Sequence, residues 1–185
     1  LETGTWNGGR AIGMALAAFD KTDTVHYIGY DLFEDATVET DKEEFNAKPH
    51  NTRKAVEKRF DEFAEHMKKE KDKEFTYELY KGNVRDTLRP IYIEEVDFAL
   101  MGSGNSIETV QHEYNILKNV PVVMGDHFFT KDDDDKLPEE KYQGMKNLFD
   151  SIATKKINEE KTTEDGWTSF DENSVVRKHV LPSDD

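Results

Sequence analysis

The sequence predicts an α/β fold: a doubly wound sandwich with a mostly parallel sheet and helices on both faces. Three observations carry this. Strand-like apolar segments alternate with helix-like segments along the chain. The strands read as buried, which suits a parallel sheet covered on both sides. A glycine-rich turn and a strand-terminal acid stand where such sheets gather ligands.

The elements follow in order. Leu1 and Glu2 are all that is present of a first strand, and Gly4, Gly8 and Gly9 form the turn after it. Ala11–Phe19 reads as a helix with an almost wholly apolar face. Val25–Phe33 is β-branched and aromatic, a buried strand bearing Asp31 near its end. Residues 34–50 are polar and read as a loop or excursion. Over residues 51–70, Ala55, Val56, Phe60, Phe63, Ala64 and Met67 recur at spacings of three and four, an amphipathic helix that Asn51 or Thr52 can cap. Phe75, Tyr77 and Leu79 alternate in a half-buried strand that stops at Gly82, and a short helix follows. Val96–Met101 is a short buried strand. Ile107, Val110, Tyr114 and Leu117 fall on one helical face. Another buried strand runs from Val120 to about Met124. Tyr142, Met145, Leu148, Phe149 and Ile152 mark a further helix, residues 155–174 are poorly patterned, and "SVVRKHVLP" reads as a final strand. Right-handed crossovers make this order Rossmann-like. The 185 residues point to one domain, expected to lack part of the first strand and the last strand of the sheet.

Composition narrows the function classes. Hydrophobic residues make up 35%, a lean supply, while aromatics at 11% argue against disorder. Lysine and arginine number 25 against 40 acids, for a net charge of −15. That balance disfavours nonspecific contact with nucleic acid or an anionic membrane, since both require positive charge. The absence of cysteine removes disulfides, thiolate metal sites and a cysteine nucleophile, and fits a reducing, cytoplasmic location. No apolar run reaches the roughly 18 residues a membrane span needs.

The chemistry gathers in four loops. In Glu2-Thr3-Gly4-Thr5-Trp6-Asn7-Gly8-Gly9 the glycines permit positive φ and close ligand approach, and the next helix presents free N–H groups. The G-x-x-x-G-G spacing is neither a dinucleotide G-x-G-x-x-G nor a P-loop, which weakens a nicotinamide-reductase reading. It is also compatible with a plain tight turn. Asp31 stands 20–30 residues beyond the turn, where an acid binds ribose hydroxyls; the alternative is an ordinary turn aspartate. Asn83 of "KGN" can meet a base edge, and Asp86 can be a helix-start acid. The fourth loop, "ALMGSGNS", holds no acid, and Asn105 with Glu108 resembles a capping box. Asp132–Asp135 have no EF-hand spacing and read as a solvated loop. The histidines His26, His50, His66, His112 and His179 show no metal-ligand spacing.

On these motifs the chain resembles class I S-adenosylmethionine-dependent methyltransferases, in particular small O-methyltransferase-like proteins of bacteria and phages. "LETGTWNG", the strand ending in Asp31, "KGNVRDTL", "VDFALMGSGNS" and "VPVVMGDHFF" are similar to that family's corresponding stretches over nearly the whole chain. The resemblance implies S-adenosylmethionine as cofactor. Glu2, Gly4, Thr5 and Gly8 would shape the methionine-end pocket, Trp6 would line it, Asp31 would hold the ribose and Asn83 would lie near the adenine. Metal-dependent members place a cation-binding acid after the fourth strand and two more after the fifth. Here Gly102 and Asn105 replace the first acid and a histidine, and the later pair reads Asp126 and His127. This donor set suits Mg²⁺ poorly, though His127 would favour a transition metal. His127 reads equally as an ordinary surface or core histidine.

Two functions follow as expectations. One is a methyltransferase acting on a small-molecule acceptor, by O-methylation, with Asp126 or His127 as base or orienting group; methyl transfer relies largely on positioning and does not require a metal. The other is a catalytically degenerate member that binds the cofactor or serves as a binding or assembly module.

Overall fold

The computed structural model describes residues 1–44, 46, 49–125, 144–145 and 147–148. Five parallel strands form one sheet in the order β3-β2-β1-β4-β5: β1 (Glu2–Thr3), β2 (Thr24–Asp31), β3 (Glu74–Lys81), β4 (Phe98–Met101) and β5 (Val122–Gly125). Between them lie α1 (Gly9–Ala18), α2 (Val38–Glu43), α3 (Arg53–Lys71), α4 (Val84–Thr87) and α5 (Ile107–Leu117), with short 3₁₀ turns at Phe33–Asp35 and Pro90–Glu95. The α/β parallel sheet expected from the alternation is present, and its strand order is compatible with a Rossmann-like fold. The chain builds outward from β1 through β2 to β3, then crosses back to place β4 on the other side of β1. The strand order therefore reverses between β1 and β4, the position at which such sheets gather ligands.

Strand alternation divides the core in two. On one face Tyr27, Phe75 and Leu79 meet Ala11, Ala15 and Phe19 from α1 and its end, and Val56, Phe60 and Met67 from α3. Phe60 is fully buried, with its ring edge-on to Tyr27 at 5.3 Å and to Phe75 at 5.6 Å. On the other face Tyr30, Ala99, Met101 and Val123 meet Val84, Leu88, Val110 and Leu117, joined by Met145 and Leu148. The lean supply of apolar residues is thus spent on aromatic contacts, which bury large areas per residue.

Helix α3 forms where its three-to-four spacing places it. Thr52 is the cap, its side chain accepting from the Ala55 N–H at 3.2 Å; lysines in the last turn complement the helix dipole. Other boundaries shift. The second strand ends at Asp31, because Phe33 turns to φ +50 and starts a 3₁₀ turn. The polar stretch 34–50 contains α2, capped by Thr37 and Thr40 in a reciprocal box. On α5, Ile107 is 52% exposed, whereas Glu113 is fully buried in line with Val110 and Leu117. Of the helix expected around Tyr142–Ile152, only Gly144, Met145, Asn147 and Leu148 are described, all helical. The charged run Asp132–Asp135 and the expected final strand lie outside the described residues, as do Asp126 and His127.

Candidate functional site

A cleft of about 620 Å³ opens over the carboxyl ends of β1, β2 and β4. Its walls include Gly4, Thr5, Trp6, Asp31, Asn83 and Gly102. The loops that converge here are joined by backbone hydrogen bonds.

The turn after β1 is built from left-handed residues. Gly4 has φ +82 and Gly8 φ +76, and Trp6 adopts φ +51, a conformation that costs a bulky residue energy. A Cβ on Gly8 would lie 2.6 Å from the Phe60 ring, so glycine is required both by backbone angle and by packing on α3. Asn7 Oδ1 accepts from the Gly9 N–H at 2.8 Å and covers one of the free donors at the start of α1.

Asp31 ties this turn to the end of β2. Its Oδ2 accepts from the Trp6 N–H and its Oδ1 from the Phe33 N–H, each at 2.7 Å. A carboxylate offers about four lone-pair positions, so two remain for ligand hydroxyls. Trp6 is 41% exposed, and its indole Nε1 donates to the Pro49 carbonyl at 2.9 Å, pinning the excursion that contains α2 to the glycine turn. Asn83 caps α4 through Oδ1, which accepts from the Arg85 N–H at 2.9 Å.

The remaining residues expected at the cofactor occupy different places. Glu2 lies behind the turn and does not line the cleft. It is fully buried, with Oε1 2.5 Å from Arg10 Nε and Oε2 accepting from the Tyr27 hydroxyl at 2.5 Å. Burial pushes its carboxyl up, and Arg10 and Tyr27 partly oppose that. Arg10 also donates to the Gly4 carbonyl at 3.2 Å, so Glu2 acts on the turn's shape from beneath. Thr5 lines the cleft, but its hydroxyl faces inward and pairs with the Tyr27 hydroxyl at 3.0 Å. Gly8 serves packing.

At the fourth loop the Gly102 N–H donates to Thr3 Oγ1 at 3.0 Å. The capping box expected of Asn105 and Glu108 is not the arrangement found. Ser106 caps α5, accepting from the Thr109 N–H at 3.3 Å. Asn105 instead joins a carboxylate clamp. Glu44, just beyond α2, accepts through Oε2 from the backbone N–H of Asn105 (2.8 Å) and of Ser106 (2.9 Å). Its Oε1 accepts from the hydroxyls of Ser106 (3.0 Å) and Thr109 (2.5 Å). A carboxylate from a distant segment thus satisfies the helix start that the local sequence only half caps.

Beneath Ser103 lies Glu113. The Ser103 hydroxyl donates to Glu113 Oε1, and Oε2 has no hydrogen-bond partner among the described residues. Burial pushes this carboxyl up to about 7, with the Ser103 and Thr3 hydroxyls working in the opposite direction.

As a metal centre the described part of the site is a poor fit. Gly102 offers no ligating side chain and its N–H is held by Thr3, while Glu44 is committed to α5. Among the described residues no group of three potential ligands gathers. No helix among them is long and apolar enough to cross a membrane.

The sequence did not single out Glu44, Asp41 or Asn46, which reach the cleft from a polar stretch without periodicity. Glu113 did leave a signal: a charged residue within the apolar stripe of a helix. Searches of family models, curated proteins and solved structures found no match to this chain.

Proposed function

We propose that this protein binds S-adenosylmethionine in the cleft and, with a class I methyltransferase architecture, transfers the methyl group to a small-molecule hydroxyl. One observation carries the reading: the glycine turn, Asp31 and Asn83 all border one cleft at the sheet's point of reversal. The donor set fits the cofactor. Asp31 retains lone pairs for two ribose hydroxyls, Asn83 stands at the end of β3 for the adenine, and the turn around Gly4 supplies close backbone approach for the methionine end. When bound, the cofactor supplies an electrophilic methyl on a sulfonium. The chain's part is to orient the acceptor, exclude water and take up the acceptor's proton. Asp126 and His127 remain candidates for that last role by their position after β5.

Gly102 in place of the family's acid favours a site working without the three-ligand cation. It equally favours the second reading, a cofactor-binding protein without catalysis. Calorimetric titration of S-adenosylmethionine, with and without Mg²⁺, tests both. Micromolar binding that is indifferent to Mg²⁺ is expected, and no binding at all would sink the two readings together. Methyl transfer to catechols, sugars and carboxylates then separates enzyme from binder, and an Asp126→Ala variant with full activity would remove Asp126 as base.

A further inference from the structure

His50 and Asp41 form a histidine–carboxylate pair on the wall of the same cleft. His50 Nε2 lies 2.6 Å from Asp41 Oδ1, and the Asn46 amide donates to that oxygen at 3.2 Å. The pair is largely shielded, with side-chain exposures of 21% for His50 and 34% for Asp41. The Asn46 Nδ2 also stands 2.9 Å from Nε2, but the contact to Asp41 is shorter and charged; because a carboxylate oxygen only accepts, that contact assigns the proton to Nε2 and the lone pair to Nδ1.

The other charged groups on the cleft are, among the described residues, committed elsewhere. Asp31 holds two backbone N–H groups, Glu44 holds the start of α5, Glu43 pairs with Arg85, and Arg10 pairs with Glu2. Among the described residues the His50–Asp41 pair is the one arranged as an oriented base is arranged: a ring with a basic nitrogen, its opposite nitrogen fixed by a carboxylate.

We propose that His50, oriented by Asp41, is the proton acceptor for a phenol-like hydroxyl bound in this cleft. The proposal rests on the methyltransferase reading. The acceptor O–H proton moves to His50 Nδ1 while an oxygen electron pair forms the O–CH₃ bond. The S–CH₃ bond breaks, its pair stays on sulfur, and the sulfonium becomes a neutral thioether. His50 then returns its proton to solvent. Proton affinity selects the acceptor. A phenol releases its proton to an imidazole far more readily than an alkyl hydroxyl does. The exposed Trp6 indole on the same cleft offers an aromatic surface to a flat acceptor.

The test uses the whole chain as wild type, His50→Gln and Asp41→Asn, with S-adenosylmethionine as donor and catechol as acceptor probe. Calorimetry reads cofactor binding, proton–nitrogen correlation spectra of the histidine rings read the tautomer, and initial rates between pH 5.5 and 9 read proton transfer. Cofactor affinity is expected to change less than about threefold among the three proteins. Wild-type His50 should carry its proton on Nε2 at pH 8, and Asp41→Asn should mix the tautomers. His50→Gln should lower kcat at least about 100-fold and abolish the acidic limb of the rate profile, with a smaller loss in Asp41→Asn. A wild-type His50 protonated on Nδ1, His50→Gln turning over at the wild-type rate, or a cofactor-bound wild type inert toward catechol would each overturn the proposal. Failure to bind S-adenosylmethionine would overturn the methyltransferase reading instead, and the tautomer spectra would still decide whether Asp41 orients His50.

Discussion

The backbone N–H of Trp6 donates to Asp31 Oδ2 at 2.7 Å, joining the turn after β1 to the end of β2. One carboxylate thereby fixes the turn beside the cleft, and under the proposed function it also holds the ligand. Asp31→Ala should lower S-adenosylmethionine affinity at least about tenfold and cost about 2–3 kcal/mol of stability, because two backbone N–H groups lose a charged acceptor. Calorimetry and urea unfolding check the two effects separately. An unchanged affinity would remove Asp31 from the cofactor site.

Arg10 and Glu2 form an ion pair whose acid is fully buried and whose base is partly exposed. Breaking such a pair from the basic side leaves a buried charge uncompensated. Arg10→Ala should destabilise the protein by about 3 kcal/mol, and Glu2→Gln by less, since the amide keeps a partner in Tyr27. Denaturant midpoints at pH 7 decide the order of the two losses.

Glu113 gives stability a pH dependence. Its carboxyl is raised to about 7 in the folded protein, while the unfolded chain ionises near 4.5. The folded state therefore holds the proton more tightly, and this contribution is complete below about 4.5 and lost as pH rises through about 7. Glu113→Gln should flatten that slope and gain on the wild type at pH 8 by an amount on the order of 3 kcal/mol. Unfolding free energies of both proteins from pH 4.5 to 8 measure it; parallel curves would show that Glu113 titrates normally.

Glu44 fastens the excursion between β2 and α3 to α5. Glu44→Ala removes the acceptor of two backbone N–H and two hydroxyl donors, with an expected cost of about 2–4 kcal/mol. Amide exchange in residues 38–44 should accelerate, while β2 and β3 keep their protection. Equal acceleration throughout the sheet would mean that the clamp supports the whole fold.

Much of the frame was legible in the order of residues. The alternation of apolar runs gave the parallel sheet, because a strand covered on both faces needs apolar side chains in both directions. Three-to-four spacing located α3, since Val56, Phe60 and Met67 must share a face to be buried. The glycine turn was readable because positive φ and contact with Phe60 leave room for no other residue at Gly8. Asp31 and Asn83 followed from their places after strands. Only the tertiary structure decided what these residues touch. It sent Glu2 inward to Arg10 and Tyr27, carried Glu44 across 61 residues to Asn105, and brought His50 against Asp41 on the cleft wall. Such contacts join segments with no shared periodicity. Their energy comes from satisfying particular donors and acceptors after the backbone has closed, which a hydrophobic pattern does not encode.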